Sequence, residues 1–172
     1  EGITDHSVTY SLSDDSDSAF SIDADSGDVV FNESANYEAQ DLYNFTVVAT
    51  DAAGNVSASQ SVTLDINDLD DAAPTVTSAD AAAAIDENSG SAQVVYTATA
   101  DDSADISDGV TFSLADVSDE ALSIDSVSGV VTLNTDPNYE LQNQYTFAVI
   151  ATDAAGNQSD AQTITLSINN ID

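Results

Sequence analysis

The residues with the plainest chemistry form one short run, Asp65-Ile66-Asn67-Asp68-Leu69-Asp70-Asp71, shortly before Pro74. It gathers four carboxylates and an amide within seven residues, with no basic side chain among them. These are hard oxygen donors. Ca²⁺ takes about six to eight oxygens from mixed carboxylates, amides and carbonyls, and the short Asp side chain suits loops. An ordinary solvated acidic linker has the same composition, so the run by itself leaves both readings open. Pro74 favours an extended backbone just before it and opens the segment that follows.

Little else could act on a substrate. The chain of 172 residues has no Cys, Lys, Arg or Trp, and its one histidine is His6. Thiol nucleophiles, zinc–thiolate sites and disulfides are therefore excluded. A Ser/His/Asp device would depend on His6, which has no counterpart in the second repeat described below. Paired carboxylates can hydrolyse glycosides without histidine. The acids here, however, recur at repeated positions, which an active site need not do. No catalytic residue is assigned, and the chain is not expected to be an enzyme.

Charge excludes further classes. The 32 acidic residues, 26 of them Asp, give a formal net charge of −32 with no basic residue to offset it. Nucleic acid and anionic membrane surfaces both need cationic contacts and are excluded as partners. Two unpaired carboxylates ~4 Å apart repel by ~4 kcal/mol at an effective dielectric near 20. Only metal cations, salt or protonation can relieve that here. Scattered acids such as Asp14, Asp15, Asp17 and Asp41 read as ordinary solvated surface. No apolar run approaches the ~20 residues that span a bilayer.

The elements that must position these acids come from an internal repeat. Ala49-Thr50-Asp51-Ala52-Ala53-Gly54-Asn55 recurs unchanged from Ala151 to Asn157, an offset of 102 residues. At the same offset Val8-Thr9-Tyr10-Ser11-Leu12 matches Val110-Thr111-Phe112-Ser113-Leu114, and Asn36-Tyr37-Glu38 matches Asn138-Tyr139-Glu140. The period is one domain long, too long for a solenoid repeat of about 20–50 residues. Residues 71–172 form a complete unit. Residues 1–70 correspond to the last two-thirds or so of a preceding unit, with counterparts of its last five strands. That unit is expected to be completed by upstream chain.

Each unit reads as all-β. Apolar and polar residues alternate in short runs rich in Val, Ile, Thr, Tyr and Phe: Gln93 to Ala100, Gly109 to Leu114, Val130 to Asn134, Gln144 to Thr152 and Gln162 to Asn169. In the last, Ile164, Leu166 and Ile168 are placed on a buried face, with Thr163, Thr165 and Ser167 on a wet one. About seven strands per complete unit predict a Greek-key, Ig-like β-sandwich, repeated in tandem.

With the landmarks in place, the chain resembles cadherin repeats. The acidic run resembles the cadherin Asp-Xaa-Asn-Asp-Asn linker with its following Ala-Pro. Asp86-Glu87-Asn88 resembles the early glutamate motif, Asn36-Tyr37-Glu38 and Asn138-Tyr139-Glu140 the mid-domain Asp-Arg-Glu motif, Asp101-Asp102 the Asp-Xaa-Asp motif, and Asp51 and Asp153 the lone aspartate after the sixth strand. The wording of the repeats is closer still to cadherin-like repeats of large bacterial surface adhesins of the RTX type. The resemblance implies Ca²⁺ at the junction of consecutive domains. Asn36, Glu38, Asp65, the Ile66 carbonyl, Asn67, Asp68 and Asp70 would contribute from one side, and Asp101, Asp102 and Asp153 from the other. It further implies a terminal half-site of Glu87, Asn138, Glu140, Asn169 and Asp172, and a single ligand at Asp51. Asn36 and Asn138 stand where the family pattern has Asp, and Leu69 where it has Asn.

The function implied is that of a calcium-rigidified spacer in a secreted or cell-surface adhesin, with calcium ions and neighbouring repeats of the same chain as partners. The rival reading is a cadherin-like module that binds carbohydrate or a cell-surface protein. Tyr10, Tyr37, Tyr43, Tyr96, Tyr139 and Tyr145 could stack on a sugar, but most recur at the repeat offset, as packing residues do.

Overall fold

The computed structural model describes residues 7–171, so His6 and Asp172 lie outside the described residues. The chain divides into two compact units between Leu69 and Asp70. No helix occurs among the described residues.

The first unit contains β1 (Val8–Leu12), β2 (Phe20–Ile22), β3 (Val29–Phe31), β4 (Leu42–Asp51) and β5 (Gln60–Asp65). Strands β1, β4 and β5 form an antiparallel sheet with β4 in the middle, and β2 and β3 form a hairpin. Ala19, Phe20 and Tyr43 are buried, with Leu12, Val29, Phe31, Phe45, Leu64 and Ile66 packed against them. Phe20 anchors this cluster, with ring centroids 4.6 Å from Phe45 and 5.5 Å from Phe31.

The second unit contains β6 (Thr75–Val76), β7 (Ile85–Asp86), β8 (Gln93–Thr97), β9 (Ala100–Asp101), β10 (Thr111–Leu114), β11 (Leu122–Ile124), β12 (Val130–Leu133), β13 (Gln144–Thr152) and β14 (Gln162–Asn169). One sheet runs β10-β13-β14-β7 and another β11-β12-β8, with β6 paired to β9. The core draws Val95, Leu122, Val131 and Leu133 from one layer and Tyr145, Phe147, Val149, Ile164, Leu166 and Ile168 from the other. This is a sandwich, with inward residues of two sheets meeting across one core. The alternation read along β14 holds: Ile164, Leu166 and Ile168 are buried while Thr163 and Ser167 are exposed.

Nine elements stand where about seven strands were expected, because two strands are interrupted. The first leaves β6, which pairs antiparallel with β9, and resumes as β7, which pairs parallel with β14 at Ile85↔Ile168. Between them Ala82 N–H donates to the Thr165 carbonyl at 2.9 Å. The small side chains of Ala81 to Ala84 suit that crossing from one layer to the other. The second strand shifts register against β12 at Val95, between the pairs Val131↔Tyr96 and Thr132↔Val94, and breaks two residues later, after Thr97. A residue inserted in this way is a β-bulge, which bends the strand. Ala98 N–H turns to the Gly129 carbonyl at 2.8 Å. Gly129 has φ of 70°, and a Cβ built there would lie 2.5 Å from the Ala98 carbonyl oxygen, so the bend requires glycine.

Candidate metal centre

The recurring Ala-Thr-Asp-Ala-Ala-Gly-Asn motif builds a turn folded around its aspartate. Asp153 Oδ1 accepts the N–H groups of Gly156 (2.7 Å) and Asn157 (2.8 Å), and Oδ2 accepts the Asn157 side-chain amide at 2.9 Å. The Asn157 amide also donates to the Asp70 carbonyl at 3.1 Å, tying the start of the second unit to this turn. Asp51 is held the same way in the first unit, by Ala53, Asn55 N–H and the Asn55 amide. The two copies differ in environment: Asp153 is buried and Asp51 is exposed.

Around Asp153 the second unit collects an unusual set of carboxylates. Asp102 leaves the end of β9 and is only 8% exposed. Its Oδ2 and the Oδ1 of Asp70 are buried and accept no hydrogen bond. Buried polar atoms are nearly always partnered, and an unpaired buried charge is costly. Both carboxyls are pushed above their ordinary value of 3.8, first by burial, then by the charge of Asp153. Asp105 and Asp108 add to the same repulsion on both groups. Burial would also raise Asp153, but the hydrogen bonds from Asn157 and Gly156 hold it below 3.8. Asp153 is thus held toward its ionised form by its turn, while Asp70 and Asp102 each keep a buried oxygen with no hydrogen-bond partner among the described residues. The chain contains no Lys or Arg.

This donor set fits a hard divalent cation. Asp70, Asp102 and Asp153 would hold Ca²⁺, and the ion would supply positive charge where the protein has none. Asp105 and Asp108 are additions that the sequence reading missed. Asp105 is half-buried and its Oδ2 accepts the Asp71 N–H at 3.1 Å. The signal was present as Asp102-Ser-Ala-Asp105-Ile-Ser-Asp108, acids three residues apart after a strand. Asp101, the last residue of β9, is exposed; its Oδ1 accepts the Ser103 N–H at 3.1 Å, and its charge adds to the repulsion on Asp102.

A second group surrounds Glu87, which is 3% exposed. Its Oε1 accepts the Ile171 N–H at 2.9 Å and its Oε2 the Tyr139 N–H at 3.1 Å. These two bonds, Ile171 first, hold the Glu87 carboxyl below its ordinary 4.5 against the opposing effect of burial. Asn169 donates from its amide to Asp86 at 2.9 Å. Asn138 Oδ1 accepts the Leu141 N–H at 2.9 Å, closing its own turn, and Asn36 Oδ1 does the same with Ala39 at 2.7 Å. In contrast to Asp70 and Asp102, Glu87 has a backbone donor on each oxygen.

In the first unit Glu38 is exposed, as are Asn67 and Asp68 beyond the end of β5. Asp65 closes β5 opposite Leu42, and Ile66 N–H donates to the Asp41 carbonyl at 2.8 Å. Of the tyrosines, Tyr43 and Tyr145 are each only 6% exposed, within the two cores, whereas Tyr37 is exposed.

The profile of the cadherin domain matches residues 3–67 and 81–169. Mouse protocadherin Fat 2 is 32% identical over 131 residues, covering 76% of this chain and 3% of the relative. The fruit-fly protocadherin-like wing polarity protein stan is 33% identical over 182 residues, covering 95% of this chain and 5% of the relative. The chain therefore spans a small fraction of these proteins. Among solved structures, human protocadherin-24 EC1-2 superposes with a TM-score of 0.73 at 19% identity, over 100% of this chain and 86% of that one. Mouse cadherin-23 EC22-24 gives 0.62 at 25% identity, over 95% of this chain and 53% of that one.

Two outcomes follow. Asp102→Asn removes a charge that faces Asp153 and Asp70. In chelator at neutral pH it is expected to raise the melting midpoint of the second unit by a few degrees while abolishing the further rise on adding Ca²⁺. Thermal melts with and without Ca²⁺ measure both, with exposed Asp14→Asn as a control that changes neither. The Glu87 carboxyl is depressed, so its contribution to stability is complete above 4.5 and is lost as pH falls through the lower folded value. Urea midpoints at about pH 5 and about pH 3 should therefore fall more for the parent chain than for Glu87→Gln.

Proposed function

The chain belongs to the cadherin family, and from that membership we propose that it is a calcium-rigidified spacer, a mechanical rather than enzymatic part of an extracellular adhesin. Cadherin domains generally bind Ca²⁺. The observation that carries the reading is the pair of buried, unpartnered oxygens on Asp70 and Asp102 in a chain with no basic side chain. A divalent cation is the partner whose chemistry they match.

The mechanism rests on where those carboxylates sit in the sequence. Asp70 belongs to the acidic run that joins the repeats, and Asp102 and Asp153 follow strands of the second unit. An ion held by all three fixes the linker to the second unit. The resemblance to cadherin linkers supplies the remaining ligands of the reading: Asn36, Glu38, Asp65, the Ile66 carbonyl, Asn67 and Asp68. Without the ion the carboxylates repel and the joint loosens. Extracellular modules hold Ca²⁺ at about 10⁻⁴–10⁻³ M, so such a joint is empty in cytosol and stiffens after export.

The similarity of the repeats, identical at about half of their aligned positions, supports length as their product. Together with the complete absence of Lys and Arg, it supports a large bacterial surface adhesin of the RTX type as the parent, with these repeats carrying an adhesive tip away from the cell. Small-angle X-ray scattering of the chain, titrated with Ca²⁺ after chelation and with Mg²⁺ as control, tests the reading. The expected result is a Ca²⁺-specific change from a broad to a narrow distance distribution. A profile that Ca²⁺ leaves unchanged would reject the spacer mechanism.

A further inference from the structure

Four asparagines head the triplet Asn-Xaa-Ser/Thr: Asn32, Asn44, Asn55 and Asn157. The triplet is an acceptor for N-linked sugar and belongs on a surface loop. A transferase must reach two groups at once, the asparagine amide and the hydroxyl two residues on. The fold treats the four hydroxyls differently.

At Asn44 the triplet lies inside β4, where Thr46 is only 9% exposed and its Oγ1 is hydrogen-bonded to Ser61 Oγ at 3.2 Å. At Asn55 the amide donates to Asp51. The Ser57 hydroxyl is used twice, accepting the Ala49 N–H at 3.0 Å and donating to the Ala58 carbonyl at 2.9 Å. Asn157 repeats this arrangement: its amide is shared between Asp153 and the Asp70 carbonyl, and the Ser159 hydroxyl accepts from Ala151 and donates to Asp160. Both triplets are built into the turn that holds the aspartate.

Asn32-Glu33-Ser34 is the exception. It follows β3, outside any strand, and all three residues are exposed. The Ser34 hydroxyl makes no hydrogen bond among the described residues, and the Asn32 amide donates to the exposed Ser21 hydroxyl at 3.2 Å. The same loop in the second unit, Asn134-Thr135-Asp136, is exposed as well, with Asn134 donating to Ser123 at 3.1 Å. Asp136 stays exposed even while accepting the Gly90 N–H at 2.8 Å. The second unit carries Asp136 where the first has Ser34, so the loop keeps its shape without the triplet.

We propose that Asn32 is the residue of the folded chain that accepts N-linked sugar, from a neutral sugar activated as its diphosphate ester. The Asn32 Nδ2 attacks the anomeric carbon. An N–C bond forms as the C–O bond to the diphosphate breaks, the diphosphate leaves with the bonding pair, and the amide proton passes to a base of the transferase.

The test gives the folded chain two donors in separate arms: UDP-glucose with a soluble N-glycosyltransferase, and lipid-linked oligosaccharide with a membrane oligosaccharyltransferase. Peptide mapping by mass spectrometry reads the occupancy of each asparagine, normalised to a free peptide carrying the same triplet. The expected result, in at least one arm, is at least about tenfold higher normalised occupancy at Asn32 than at Asn44, Asn55 or Asn157, since those three must first open locally. The arm that gives it identifies the donor. Ser34→Ala should abolish the modification without moving the melting midpoint, and Ser34→Thr should keep it. The proposal is overturned if Asn32 takes no sugar in either arm, if any of the other three asparagines matches it, or if Ser34→Ala is modified as the parent chain is.

Discussion

The constraint on which the rest depends is electrostatic: a small body carrying 32 acids and no Lys or Arg must fold without the ordinary partner of a carboxylate. Most of the acids meet this by staying in water. Those that enter the protein divide by how their oxygens are satisfied. Glu87 takes one backbone N–H on each oxygen, and Asp153 is enclosed by the turn that follows it. Asp70 and Asp102 each keep a buried oxygen with no donor. A hydrogen-bonded carboxylate is stable as an anion in a folded chain, whereas burial without a partner disfavours its charged form. The fold therefore separates carboxylates partnered by the backbone from carboxylates with a bare buried oxygen.

The strands make that separation possible. The sandwich core fixes the ends of β9 and β13, from which Asp102 and Asp153 emerge. The Asn157 amide then reaches from the Asp153 turn to the Asp70 carbonyl. The rigid part of the molecule thus grips the start of its own unit through a neutral hydrogen bond before any ion is considered. Asp70 is the first residue of this unit, directly after the boundary at Leu69.

Much of this was legible from residues alone. The strict alternation along β14 and the repeated motif around Asp51 and Asp153 required only the two-residue period of a strand and self-comparison. The interruptions of the first two strands were not legible, because a crossing between sheets depends on a distant partner: Ala82 on Thr165, and Ala98 on Gly129. Gly129 marked the place, but a glycine after Asp and Ser reads first as a turn. At the site, Asp70, Asp102 and Asp153 were expected and are brought together. Asp101 and Asp102 were expected from their likeness to the Asp-Xaa-Asp motif; Asp105 stands outside that motif, and its charge at Asp70 and Asp102 becomes visible only in the fold. The backbone bonds of Glu87 were also hidden, since both donors, Tyr139 and Ile171, are remote in sequence.

The most direct test of the central claim is to follow the side-chain carboxyl carbons of the aspartates by NMR as Ca²⁺ is added at constant ionic strength. The account requires that Asp70, Asp102 and Asp153 shift together along one saturating curve, while exposed Asp14 and Asp15 remain nearly still and Mg²⁺ fails to reproduce the effect. A gradual, uniform drift of all the acids, with Asp70 and Asp102 no different from the rest, would mean that the cluster is only screened by bulk ions, and would contradict it.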